Sequence, residues 1–355
     1  MANWEATVRG VVDDVMRAQG VSGMVIAVSR GGGSPQHLIA GTDAVGTPLA
    51  ADTLFPVASI TKLATALAVL RLVEAGKLAL DDPLALHVRD AAAAREGVTL
   101  RRLLCHTAGL PHDLSAEAAP YKPELDWPAL ARACLQTPRA EPAGARVNYS
   151  NLGYGLLAVT VERATGRRFV DALADLVIAP LGIEAYLGVD PPRTPARVAG
   201  GELAQHAGTD LEPYNTPFWR SLALPWGGLI TTAAGAIALV RAFEGVPAVF
   251  LSPELRKEAT SDQTGGLSGT MVVLRWPRCP WGLGVELRGD KSPHWAPAEA
   301  APESFGHAGS SGCLVWSDPG SGVTWAMLSP RTFESWFFRW PEIGAAVLSA
   351  SGTRR

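Results

Sequence analysis

The sequence predicts an α/β fold of the α+β type: an antiparallel sheet of about five or more strands flanked by helices, with a mostly helical domain inserted. Three observations point to it. Residues 23–29 form a short apolar, β-branched run, the chain turns at Gly31-Gly32-Gly33, and a second run follows at 37–40, the pattern of a hairpin. Late in the chain, residues 282–287, 312–317 and 323–329 give three more strand-like runs separated by Gly, Asp and Pro. Their connections are too short for a crossover helix, so these strands are antiparallel neighbours, and the early hairpin can complete one sheet with them. Between the two groups, residues 81–217 carry helical pieces joined by Pro-rich and Gly-rich connections. The expected organisation is a sheet domain built from 1–80 and 218–355, with 81–217 as the helical insertion.

Each helix has its own signal. Residues 4–18 place Val8, Val11, Val12 and Val15 at helical spacing, with Gly20 as the stop. Residues 60–75 are rich in Ala and Leu, lack Gly and Pro, and end at Gly76, as a buried helix should. Helices are also expected over 125–135 and 152–165 in the insertion, over 231–243, and finally over 334–348. No internal repeat is visible.

Composition narrows the function. The chain has 355 residues, 47% of them hydrophobic and 18% charged, ample for a large core. A net charge of −3 and the lack of a basic stripe exclude nucleic acid as an expected partner. No apolar stretch is long enough to span a bilayer, and the start, Met1-Ala-Asn-Trp-Glu, lacks the basic and then apolar pattern of a leader. A cytoplasmic protein is expected. Cys105, Cys134, Cys279 and Cys313 lie far apart, without C-x-x-C or metal-ligand spacing, and read as buried free thiols. Neither a metal nor a cofactor is implied, and the oligomeric state is not legible.

Chemistry concentrates in three places. Ser59-Ile-Thr-Lys62 is a Ser-x-x-Lys motif at a helix start, where three residues make nearly one turn and bring the amine to the serine oxygen. A serine alcohol needs a base beside it, and a desolvated lysine near a helix N-terminus can serve. Such a motif is ordinarily an N-cap serine followed by a solvated lysine. Here Lys62 is the one charged residue between Asp52 and Arg71, in a segment otherwise apolar or small. Tyr149-Ser-Asn151 supplies a phenol able to shuttle a proton and an amide able to donate and accept; its bland alternative is a turn with Tyr149 packed on the core. Phe305-Gly-His-Ala-Gly-Ser310 sits at a strand start, its small residues, Gly309 among them, allowing a substrate close to the backbone.

Taken together, these segments resemble the serine β-lactamase and penicillin-binding-protein superfamily, above all class C β-lactamases, DD-peptidases and the carboxylesterases called family VIII. The likeness runs from about residue 21 to 328. It rests on Phe55-Pro-Val-Ala-Ser-Ile-Thr-Lys62, Leu103-Leu-Cys-His-Thr-Ala-Gly-Leu-Pro111, Tyr149-Ser-Asn-Leu-Gly-Tyr154, Gly227-Gly-Leu-Ile-Thr-Thr-Ala233 and Gly306-His-Ala-Gly309. The resemblance implies a β-lactamase-like fold with Ser59 as nucleophile, Lys62 and Tyr149 as proton carriers, Asn151 beside them, and an oxyanion hole from the N–H groups of Ser59 and Ser310. His307 falls where many relatives carry lysine, which leaves a substrate carboxylate without its permanent positive partner. Trp226, before Gly227-Gly228, matches a motif of the esterase branch and is a candidate wall of the acyl pocket; a buried tryptophan beside a tight turn is the plainer reading. His106 reads as structural. The implied activity is hydrolysis of short- to medium-chain esters through an acyl-Ser59 intermediate, Lys62 or Tyr149 being the base. A β-lactamase or D-alanyl peptidase is the first alternative, and a non-catalytic binding protein of the same fold the second.

Overall fold

Strand residues alternate between faces, so a strand covered on both sides must be apolar throughout. Gly23–Arg30 (β1) is such a strand, buried along nearly its whole length. Met24, Ile26 and Val28 belong to one apolar cluster and Val25 and Ala27 to another. The computed structural model describes residues 4–95, 97–271 and 273–351. In it β1 pairs with Gln36–Gly41 (β2) and, on its other side, with the last of four late strands: Glu286–Leu287 (β3), Phe305–Gly309 (β4), Cys313–Asp318 (β5) and Val323–Leu328 (β6). The result is a six-stranded sheet in the order β2-β1-β6-β5-β4-β3, antiparallel at every pairing.

Each face of the sheet carries its own helices. Trp4–Gln19 (α1) turns Val8, Val12 and Val15 inward and packs with Trp340–Ala350 (α6) over Met24, Ile26, Trp316 and Trp325. On the opposite face Ala233–Ala242 (α5) covers β1, β5 and β6. Thr61–Glu74 (α2) is buried from Thr61 through Leu70, as its lack of a polar face requires, and packs against α5 and against Asn151–Thr165 (α4), a helix almost as apolar. Asp126 and Ser150 cap the helices Trp127–Gln136 (α3) and α4 by accepting from Ala129 and Gly153 N–H.

Three expectations change. The strand predicted over 282–287 shrinks to Glu286–Leu287. The final helix begins at Trp340 rather than near 334, because Pro341 occupies its first turn, where a missing N–H costs nothing, and two 3-10 turns fill the approach. Within 81–217, residues 105–126 hold no helix and 183–216 only one 3-10 turn, their prolines depriving the backbone of donors. Two small sheets tie this region to the rest: Phe55–Pro56 with Ile230–Thr231 and Ala185–Tyr186, and Val147–Asn148 beside Gly269–Met271. All four cysteines are free and buried, as expected. No helix among the described residues is long and apolar enough to cross a membrane. Residues 1–3, where the argument against a leader begins, lie outside the described residues.

Candidate active site

Ser59 lies in the 3-10 turn Ala58–Ile60 that leads into α2. The turn is strained and tightly held. Ala58 has φ +44°, a region that L residues avoid, and Thr61 fixes it by donating to the Ala58 carbonyl at 2.6 Å while accepting from Leu229 N–H at 2.9 Å. Strand β4 presses on the same turn. A Cβ on Gly309 would stand 2.3 Å from the Val57 carbonyl oxygen, so only glycine fits there.

Lys62, one turn on, is fully buried. Its Nζ meets Asn151 Oδ1 at 2.7 Å, the Trp226 carbonyl oxygen at 2.9 Å and Ser59 Oγ at 3.1 Å, and lies 4.7 Å from the centre of the Tyr149 ring. Burial drives the amine well below its ordinary range, with the Asp113 carboxylate pulling the other way. The amine is therefore biased toward neutrality. A neutral amine has two N–H donors and one lone pair. In that form two of its three partners, being pure acceptors, take the two N–H groups, and the lone pair is left for the Ser59 hydroxyl. The Asn151 amide is oriented independently: its Nδ2 donates to Asp113 Oδ2 at 3.1 Å, which leaves Oδ1 for Lys62.

Tyr149 reaches the site from the end of the short strand Val147–Asn148, just before the cap of α4. His106 Nδ1 accepts from Ser150 N–H at 3.1 Å and its ring stacks 4.6 Å from that of Tyr149, while His112 Nδ1 donates to the Tyr149 carbonyl at 2.9 Å. Burial raises the phenol well above its ordinary range, with Ser59 opposing; the hydroxyl is enclosed and stays protonated. His106 is thus a positioning residue for the Tyr-Ser-Asn segment.

A cavity of about 300 Å³ opens over these groups. Ser59, Tyr149, Asn151, Ser310 and Trp226 line it, so the structure brings these five predicted residues together with Lys62 just beneath. Two others are placed differently. His307 is fully buried against the Tyr149 and Trp281 rings, and neither it nor Gly309 lines the cavity. His307 Nδ1 donates to the Ala308 carbonyl at 2.7 Å, and burial, then the nearby Lys62, push its pKa down to about 3. The imidazole is neutral and faces protein, and Gly309 serves the packing of the serine turn.

Among the lining residues that escape a reading of the motifs are His112, Asp113 and Tyr214, whose hydroxyl bonds Ser310 Oγ at 2.8 Å. Two titratable residues directly after Leu110-Pro111 are a usable signal for the first two. Tyr214 offers none, since it arrives from a loop nearly a hundred residues before Ser310.

Comparison with known proteins identifies the family. The beta-lactamase family model matches residues 8–348. Penicillin-binding protein 4 of Amycolatopsis lactamdurans is 31% identical over 313 residues, 82% of this chain and 76% of that protein. Esterase EstB of Burkholderia gladioli is 30% identical over 299 residues, covering 74% and 76%. The crystal structure of a beta-lactamase from Mycobacterium bovis superposes with a TM-score of 0.68 at 26% identity, covering 96% of this chain and 99% of that one. With a family match across nearly its whole length, the sheet and helices of that fold and its motifs in order, the chain belongs to the beta-lactamase family of hydrolases.

Proposed function

We propose that the protein is a serine carboxylesterase acting on neutral esters of short to medium chain length. The observation that carries the reading is the buried Lys62 amine, whose Nζ lies 3.1 Å from Ser59 Oγ. In the acylation step Ser59 Oγ attacks the ester carbonyl and its proton passes to Lys62 Nζ. The backbone N–H groups of Ser59 and Ser310 hold the oxyanion. Tyr149, protonated and adjacent, gives its proton to the departing alkoxide as the C–O bond breaks and is reprotonated from the Lys62 ammonium. Water then attacks acyl-Ser59 by the same route in reverse, releasing the acid and restoring Ser59. The upward displacement of the phenol and the downward displacement of the amine favour Lys62 as the base and Tyr149 as the acid.

The electrostatics of the cavity favour a neutral substrate. Its described lining contains the carboxylate of Asp113 and neither lysine nor arginine, while His307 is neutral and turned away. A carboxylate-bearing β-lactam or D-alanyl peptide would meet repulsion where it needs an ion pair. The name of the EstB relative supports the same reading; those of the penicillin-binding protein and the mycobacterial β-lactamase support the rival. Steady-state kinetics of p-nitrophenyl acetate and butyrate beside a chromogenic cephalosporin separate them. The expected kcat/KM for the esters is at least a hundredfold higher, and Ser59→Ala abolishes both activities; efficient cephalosporin turnover would replace the esterase reading.

A further inference from the structure

Beside the catalytic cavity lies a second recess of about 330 Å³, lined by Leu114, Tyr121, Leu125, Leu130 and Leu222. It is no packing void, being more than twice the size of a cavity that holds a benzene-sized ligand. Asp113, Leu224 and Trp226 line both spaces, so the two share a wall through which the same substrate can be contacted. The wall is anchored at Trp226. Trp226 packs edge-on to Trp127, whose Nε1 donates to Glu162 Oε1 at 2.9 Å, and its ring edge lies over Gly155, where a Cβ would come within 3.2 Å. Leu224 is half-buried, on a connection whose other residues from 222 to 230 are buried. The chemistry of the recess is uniform. Tyr121 spends its hydroxyl on the Leu211 carbonyl at 2.9 Å and presents its ring, leaving Asp113 at the shared rim as the charged group among the described lining.

We propose that this recess is the binding site for an apolar limb of the ester, a linear or branched alkyl group that leaves the catalytic cavity past Leu224 and Trp226. The inference rests on the esterase reading and adds the substrate class: esters with one extended hydrocarbon limb, bearing no negative charge near the reacting carbonyl because Asp113 guards the passage. Burying a methylene contributes about 0.8 kcal/mol, which converts to a factor of about four in kcat/KM. Ala119 and Leu130, both at the recess and neither part of the catalytic apparatus, allow it to be filled or enlarged.

The test uses p-nitrophenyl esters from acetate to octanoate and, for the other limb, alkyl acetates from methyl to octyl. In the wild type one series should gain up to about fourfold per methylene over several carbons; which series gains identifies the acyl or the alcohol limb. Ala119→Trp should flatten that gain while acetate turnover stays within about twofold, and Leu130→Ala should move the optimum to longer chains. As a readout independent of turnover, Ser59→Ala should bind the long ester more tightly than the short one by calorimetry, and Ser59→Ala/Ala119→Trp should not. A wild-type profile flat in both series, or a gain that survives Ala119→Trp in a folded variant, would overturn the proposal while leaving the esterase intact. Absence of any ester turnover would instead remove the esterase reading on which it rests.

Discussion

In the proposed reaction Lys62 shows how a single environment can turn a surface-type residue into a base. A lysine in water is an ammonium with three donors and no lone pair. Buried between two pure acceptors and a hydroxyl, it loses solvation that keeps it charged, and in the neutral form its lone pair is left for Ser59. Asp113 works against this from beyond Asn151, holding the amine higher than burial alone would. The sign of its removal follows. Asp113→Asn takes away a negative charge, lowers the Lys62 pKa further and populates the neutral base at lower pH. The ascending limb of the kcat/KM profile for p-nitrophenyl acetate should therefore move to lower pH. A limb that stays in place would dissociate Asp113 from Lys62, and one that moves up would contradict the direction of the coupling. The charge isolation of Lys62 is visible in the sequence, because nothing else charged occurs for nine residues on one side and eight on the other. The role of Asp113 is not, because it depends on a bridge through Asn151 that only folding creates.

At the scale of elements, the site is the meeting of three chain segments whose positions are set by backbone contact. The turn before α2 carries Ser59, the cap of α4 carries Tyr149 and Asn151, and β4 closes against the serine turn through Gly309. Runs, caps and stops made the helices and the hairpin legible, since their signals are local. The ends of α6 and β3 were less so: Pro341 relocates one, and β3 makes only a two-residue pairing that no alternation could reveal. Glycine spacing marked the third motif, but the reason for Gly309 differs from the one its sequence suggests, being the approach of the Val57 carbonyl rather than of substrate. Gly309→Ala should consequently act on the serine turn. Forcing a methyl group into that contact should cost about 1–3 kcal/mol of stability, and misplacing Ser59 by about an ångström should lower kcat about a hundredfold. Chemical denaturation and steady-state kinetics on the variant check both. Full kcat with raised KM would instead place Gly309 in substrate binding.

Across the whole molecule, the sheet and its two helical faces act as a rigid frame that keeps polar groups buried behind the site. Glu286, on β3, is enclosed with Lys291 and His294 at 2.8 and 3.1 Å and also accepts from Trp295 Nε1. Although burial works to raise it, Lys291 and His294 hold its pKa down to about 2. The Lys291 ammonium in turn sits over Trp281, the ring against which Tyr149 and His307 pack. The motifs, spaced over most of the chain, made the fold legible; this second layer of polar groups was not, because Glu286, Lys291 and His294 fall in no recognisable motif and meet through turns. In the proposed reaction Ser59 carries the acyl group during turnover. Rapid quenching of the enzyme with a slowly hydrolysed p-nitrophenyl ester, followed by digestion and mass mapping, tests that claim directly. The expected product carries one acyl group, on the peptide containing Ser59 and on Ser59 itself, absent from Ser59→Ala and strongly reduced in Lys62→Ala. Acylation at another residue, or turnover by Ser59→Ala at the wild-type rate, would contradict it.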